Sequence, residues 1–139
     1  MLPNTLNTNE VKNAAAGERE FTRLSISDRA TEFSLISEIP SQPHRLLIKH
    51  QETGVGLKLR RRSVLRFDKT SISDVDNATP VTTSAYIVLD APVGATLTDA
   101  QAKEVLANIM SFCATTGAAT NVLFDCTGNG AAALVSGGL

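Results

Sequence analysis

The chain is predicted to be α+β, an antiparallel sheet followed by helices. Three observations lead there. Between Phe21 and Ala91, apolar residues recur mainly at every second position, the period of a half-buried strand. After Thr98 the apolar spacing becomes helical. Strands therefore come first and helices last, an order that builds a sheet with helices gathered to one side. At 139 residues and 42% hydrophobic, the chain suits one domain spanning 1–139, with a flexible start over about 1–4 and a tail over about 127–139.

Residues 1–18 are polar, with at most a weak strand near Thr5 to Val11. Phe21 to Ile26 and Thr31 to Glu38 read as strands around a Ser-Asp-Arg turn, and Pro40 and Pro43 stop the second. His44 to Gln51 and Leu57 to Phe67 flank Glu-Thr-Gly-Val-Gly, whose glycines suit the positive φ of a tight hairpin turn. A turn pairing Glu52 with Leu57 would set Gln51 against Lys58, Lys49 against Arg60 and Leu47 against Arg62. Asp68 to Pro80 reads as a polar loop, and Thr82 to Ala91 as a further strand. Thr98-Asp-Ala-Gln101 has the form of a capping box. Behind it Ala102, Val105, Leu106, Ile109, Met110 and Cys113 mark a helix that Gly117 should end. A short second helix is predicted over Ala118 to Asp125, and the glycine-rich tail should not extend it far.

Charge is distributed unevenly. Residues 43–67 hold seven Lys or Arg and one acid, Glu52, while the other 114 residues hold six Lys or Arg against thirteen acids. Period-two alternation places Arg45, Lys49, Lys58, Arg60, Arg62 and Arg66 on one side of the hairpin, and Leu46, Ile48, Leu57, Leu59, Leu65 and Phe67 on the other. Arg61 breaks the pattern and falls on the apolar side, which suggests a bulge or an edge position. Like charges opposed across a strand pair are destabilising without anions nearby. A cationic face on an otherwise acidic chain points to a polyanion, RNA or DNA. Tyr86 on the neighbouring strand would add a stacking platform for an unpaired base. The alternative is a solvated face of snorkelling cations.

Catalytic chemistry has little to stand on. His44 and His50 share one strand, and there is no third histidine to complete a metal set. Asp74-Val-Asp76-Asn77 imitates the start of a calcium loop but has Thr79 where the glycine belongs and Ala85 where the glutamate belongs. The terminal glycine motifs contain no Lys, unlike a nucleotide-binding phosphate loop. Cys113 and Cys126 make no disulfide framework, and Cys113 reads as a reduced, buried thiol. No enzyme activity, cofactor, metal or small-molecule substrate is expected. The N-terminus lacks a signal-peptide core, and no stretch approaches the ~20 apolar residues of a membrane span, so the expectation is synthesis in the cytosol and no membrane partner. Five Phe, one Tyr and no Trp make a thin core for a lone domain.

In order of elements the chain resembles the coat proteins of single-stranded RNA bacteriophages, the leviviruses. The stretches that carry the resemblance are HRLLIKHQETGVGLKLRRRSVLRFDKT and TTSAYIVLDAPVGATLTDAQAKEVLANIMSFCATTGAATNVLFD. It implies an N-terminal hairpin, a five-stranded antiparallel meander and two C-terminal helices that interlock with a partner in an obligate homodimer. Val105, Leu106, Ile109 and Met110 would then be buried by the other chain. It further implies an icosahedral shell made in the bacterial host cytoplasm, genomic RNA held on the sheet, and shell contacts through the loop Lys69 to Pro80. Binding of an RNA hairpin at the replicase start, with translational repression, is implied as well. By resemblance Tyr86 stacks on a loop base, and Lys49, Lys58, Arg60 and Arg62 contact phosphates. Leu47 and Val88 depart from the family, which would place small or polar groups there. Two rivals remain at this stage: a non-viral RNA-binding module, and a structural homodimer whose basic face serves only solubility.

Overall fold

The computed structural model describes residues 2–116 and 123–137. Its strands are β1 Thr5–Leu6, β2 Phe21–Ile26, β3 Ala30–Leu35, β4 His44–Thr53, β5 Arg60–Ile72 and β6 Pro80–Ala91. They form one antiparallel sheet in the order β1-β2-β3-β4-β5-β6, so every strand pairs with its chain neighbours. This is the predicted meander with six strands in place of five, the extra one being the two-residue β1 at an edge. The helices are α1 Ala100–Ala114 and α2 Asn129–Ser136. The chain divides into two compact units, the first being the residues up to Glu10 with Arg19–Thr96, the second Val11–Glu18 with the chain from Leu97 onward.

In the first unit the core lies on one face of the sheet. Phe21, Phe33 and Leu46 are buried, and the Phe21 ring meets His44 edge-on at 5.1 Å and Phe67 at 5.9 Å. Register explains the grouping, because Phe33 faces Leu46 and Leu46 faces Phe67. Residues directly opposite one another share a face.

Three expectations need correction here. The hairpin register is displaced by four residues: Gln51 faces Arg62, Lys49 faces Val64 and Leu47 faces Arg66. The cause is the turn, which is wider than a pairing of Glu52 with Leu57. Gly54 and Gly56 take φ of 87° and 56°, and residues Gly56–Lys58 form a 3₁₀ turn before β5 begins at Arg60. Because the displacement is even, the assignment of faces survives it for the residues of β4 and β5, whereas Leu57, Lys58 and Leu59 precede β5 and Leu57 is exposed rather than on an apolar face. Second, the loop after β5 is only residues 73–79, since Asp68 to Ile72 continue the strand opposite Ser84 to Pro80. Polar Lys69, Thr70 and Ser71 gave no apolar alternation to show this. Within the loop Asp76 accepts the amides of Ala78 and Thr79, each at 3.0 Å, and the Thr79 hydroxyl, which holds its carboxyl far below the usual range.

The third correction concerns the helices. The N-cap of α1 is Asp99, not Thr98, and no side-chain cap bond forms; the Asp99 carboxylate instead meets Lys103 at 2.9 Å, one turn on. The helix ends at Ala114, and Gly117 lies outside the described residues. The second helix is not over Ala118 to Asp125. Residues 123–128 are non-helical, 118–122 lie outside the described residues, and α2 occupies the supposed tail. Its glycines explain the displacement. A Cβ on Gly128 would lie 2.5 Å from the Phe112 carbonyl oxygen, and one on Gly130 2.5 Å from the Phe112 ring. Glycine thus lets α2 approach α1 closely, and the Ala114 carbonyl accepts the Thr127 and Gly128 amides at 2.9 and 3.1 Å.

Candidate nucleic-acid interface

The face opposite the phenylalanines is built in rows by strand register. Arg45 lies opposite Asp68, which lies opposite Ser84. In the next row Leu47 faces Arg66 and Arg66 faces Tyr86. Then come Lys49, Val64 and Val88, followed by Gln51, Arg62 and Asp90, and finally Thr53 with Arg60. No cation stands directly opposite another, so the like-charge opposition expected from the tighter turn does not arise. Leu47, Val64 and Val88 make an apolar strip among the charges, and Tyr86 is 67% exposed beside it.

The cations on this face are not equivalent. Arg45 is half-buried and bonded to Glu38 at 2.8 Å. The Arg60 Nε donates to Asp90 Oδ1 at 3.0 Å. The Arg66 Nε donates to Asp68 Oδ1 at 2.9 Å, and the Ser84 hydroxyl donates to the same oxygen. The Ser84 hydroxyl, helped by Arg66, holds the Asp68 carboxyl below the usual carboxylate range. Lys49 and Arg62 are exposed and make no ion pair among the described residues. Lys58 belongs to the 3₁₀ turn, outside the strand in which the sequence reading set it.

Arg61 has a definite place. It sits on the other face directly across from Glu52, donating to it at 2.8 Å, and Arg29 approaches the same carboxylate at 3.5 Å. These residues, with Asp28 and His50, line an open cavity of about 320 Å³. His50 Nδ1 lies 2.8 Å from the Ser63 hydroxyl. The sequence signal for this pairing was the lone acid of the basic segment, and only the true register brings the two together. Among the described residues no group of three or more His, Cys, Asp or Glu could hold a metal ion. Among the described residues no helix is long and apolar enough to cross a membrane.

Comparison of the backbone with solved structures decides the fold. The chain matches a virus-like particle of bacteriophage EMS014 with a TM-score of 0.64 and 10% identity, over 99% of this chain and 97% of that one. It has the phage coat-protein fold. The capsid protein of bacteriophage GA matches with a TM-score of 0.56 and 17% identity, over 97% and 95% of the two chains. A virus-like particle of Beihai levi-like virus 32 matches with a TM-score of 0.55 and 24% identity, over 66% and 73%. No family model and no curated protein sequence matches. In this coat-protein fold the basic rows occupy β4 and β5, and Tyr86 occupies β6.

Of the helix positions expected at a dimer interface, Val105 and Ile109 are exposed, at 53% and 42%, while Leu106 and Met110 are half-buried. Phe112, which the periodicity did not single out, is 62% exposed on the same helix.

Proposed function

We propose that this chain is a capsid protein that dimerises, assembles into an icosahedral shell and packages single-stranded RNA on the basic face of its sheet. The observation that carries the reading is the near full-length match to coat proteins and virus-like particles combined with a cationic sheet face. The protein would act without enzyme activity or cofactor, as part of a virion made in the cytoplasm of a bacterial host. A sheet face suits the task physically. Cations fixed by strand register attract phosphates over a wide area, and releasing condensed counterions drives binding without base-specific contacts. Tyr86, exposed next to Arg66, would stack on an unpaired base.

The dimer would bury Val105, Leu106, Ile109 and Met110 of α1 and pair the open edges of two β6 strands. The 73–79 loop, with Val75 94% exposed at its tip, would make contacts between dimers. Binding of an RNA hairpin and repression of replicase translation would use the same sheet face. The test is sedimentation and negative-stain imaging of the purified recombinant protein. Large closed particles that contain host RNA are expected. Small species that bind RNA would favour a non-viral RNA-binding module, and small species without RNA would favour a purely structural dimer.

A further inference from the structure

The sheet face carries its own counterions. Asp90 stands opposite Arg62 in register and accepts the Arg60 Nε at 3.0 Å, while its backbone carbonyl accepts the same guanidinium at 3.3 Å. Asp68 stands opposite Arg45 and accepts Arg66 at 2.9 Å as well as the Ser84 hydroxyl. Lys49 and Arg62, between these pairs, carry no such partner among the described residues. We propose that Asp68 and Asp90 are specificity-determining residues of the RNA face. They are internal counter-anions that a phosphate must displace from Arg66 and Arg60, and they weaken the face's hold on polyanions in general. The proposal rests on the reading of this face as the RNA site.

The argument is one of ion exchange. A phosphate that takes an unpaired lysine releases a condensed cation from the RNA, and the entropy of that release favours binding. A phosphate that takes a guanidinium already bonded to a carboxylate releases the same cation but strands the carboxylate. That anion must recruit a cation from solution or sit unneutralised beside the phosphate, where like charges repel. Arg60 and Arg66 therefore add little to the salt dependence of binding, while Lys49 and Arg62 contribute in full. A flexible polyanion gains from two cations on this face. A stem-loop that presents a preordered loop base to Tyr86 has further binding energy with which to open the pairs, whereas a flexible strand must first order its base at an entropic cost.

The test uses the purified full-length protein with two probes, a single-stranded oligouridylate and a short RNA stem-loop, titrated at several salt concentrations. Asp90→Asn and Asp68→Asn keep the side-chain shape and remove the charge. Each should tighten oligouridylate binding by roughly two- to five-fold at low salt and steepen the log–log salt slope by about 0.7. Glu52→Gln removes the same charge from the opposite face and should do neither. Should Glu52→Gln tighten binding as much, net charge alone is responsible and the proposal is overturned. If both Asp variants leave affinity and slope unchanged while Lys49→Ala weakens binding, the proposal fails and the RNA face stands. If Lys49→Ala and Arg62→Ala also change nothing, the RNA face itself is misassigned and the proposal falls with it. Should Asp68→Asn unfold, Asp90→Asn alone decides.

Discussion

Lys49 and Tyr86 occupy neighbouring rows of one face, yet their loss should be felt differently. Lys49 offers an unshared charge, so Lys49→Ala should weaken RNA binding and flatten the log–log salt slope by roughly 0.7 to 0.9. Tyr86→Ala should cost roughly 1 to 3 kcal/mol of binding with little change in slope, because stacking releases no counterions. Fluorescence titration of each variant with an RNA stem-loop at several salt concentrations checks both. An unchanged slope for Lys49→Ala would remove it from the phosphate contacts. His44 makes a separate prediction. Burial against Phe21, then the charges of Lys69 and Arg19, hold its pKa below the ordinary value. The unfolded chain therefore binds the proton more readily, and this contribution to stability is present above about pH 6.5 and lost as pH falls through the depressed folded value. Urea unfolding between pH 7 and 5 should show a decline that His44→Gln reduces. At this scale the sequence disclosed which face each strand residue takes, since alternation survives an even shift of register. It did not disclose partners: Arg61 looked misplaced until Glu52 was set opposite it.

The elements were legible where a pattern ran unbroken and illegible where tertiary packing decided. Strands β3 and β4, β5 as far as Phe67, β6 from Thr82 and helix α1 follow their periods. The hairpin turn and α2 do not, because both depend on close backbone approach. Gly94 illustrates this: its amide donates to the Leu59 carbonyl at 2.9 Å, and a Cβ there would lie 2.0 Å from the Gly56 carbonyl oxygen. Gly94→Ala should push the segment off the turn and destabilise the protein by roughly 1 to 3 kcal/mol, measured by urea unfolding. Stability equal to wild type would mean the segment moves aside freely. The 73–79 loop should behave in the opposite way. Its hydrogen bonds around Asp76 are internal, so removing three or four of its residues should leave folding intact while particles close poorly or at altered size. Normal particles at normal yield, seen by electron microscopy, would place the lattice contact elsewhere.

For the molecule as a whole, the thin core read from the sequence is what motivates the proposed dimer. Leu24, Ile26 and Ile36 on the sheet side and Val105, Ile109 and Phe112 on α1 are exposed, and the proposed dimer would cover part of this apolar surface. If a second copy covers Ile109, then Ile109→Asp should bury an unpaired charge and yield unfolded or aggregated chains. A soluble, well-folded monomer by sedimentation would count against that interface.

Strand order also has a consequence in time. Since each strand pairs with the one before it, the sheet can assemble as the chain is made, hairpin upon hairpin. Its last strand ends at Ala91, so an interval separates completion of the sheet from synthesis of the helices that follow it. During that interval the outer edge of β6 presents a row of free amides and carbonyls, a template for another strand. If copies pair through β6 as proposed, two chains growing on the same message would be able to meet edge to edge in that window, before either has its helices, and subunits from one transcript would then pair with each other.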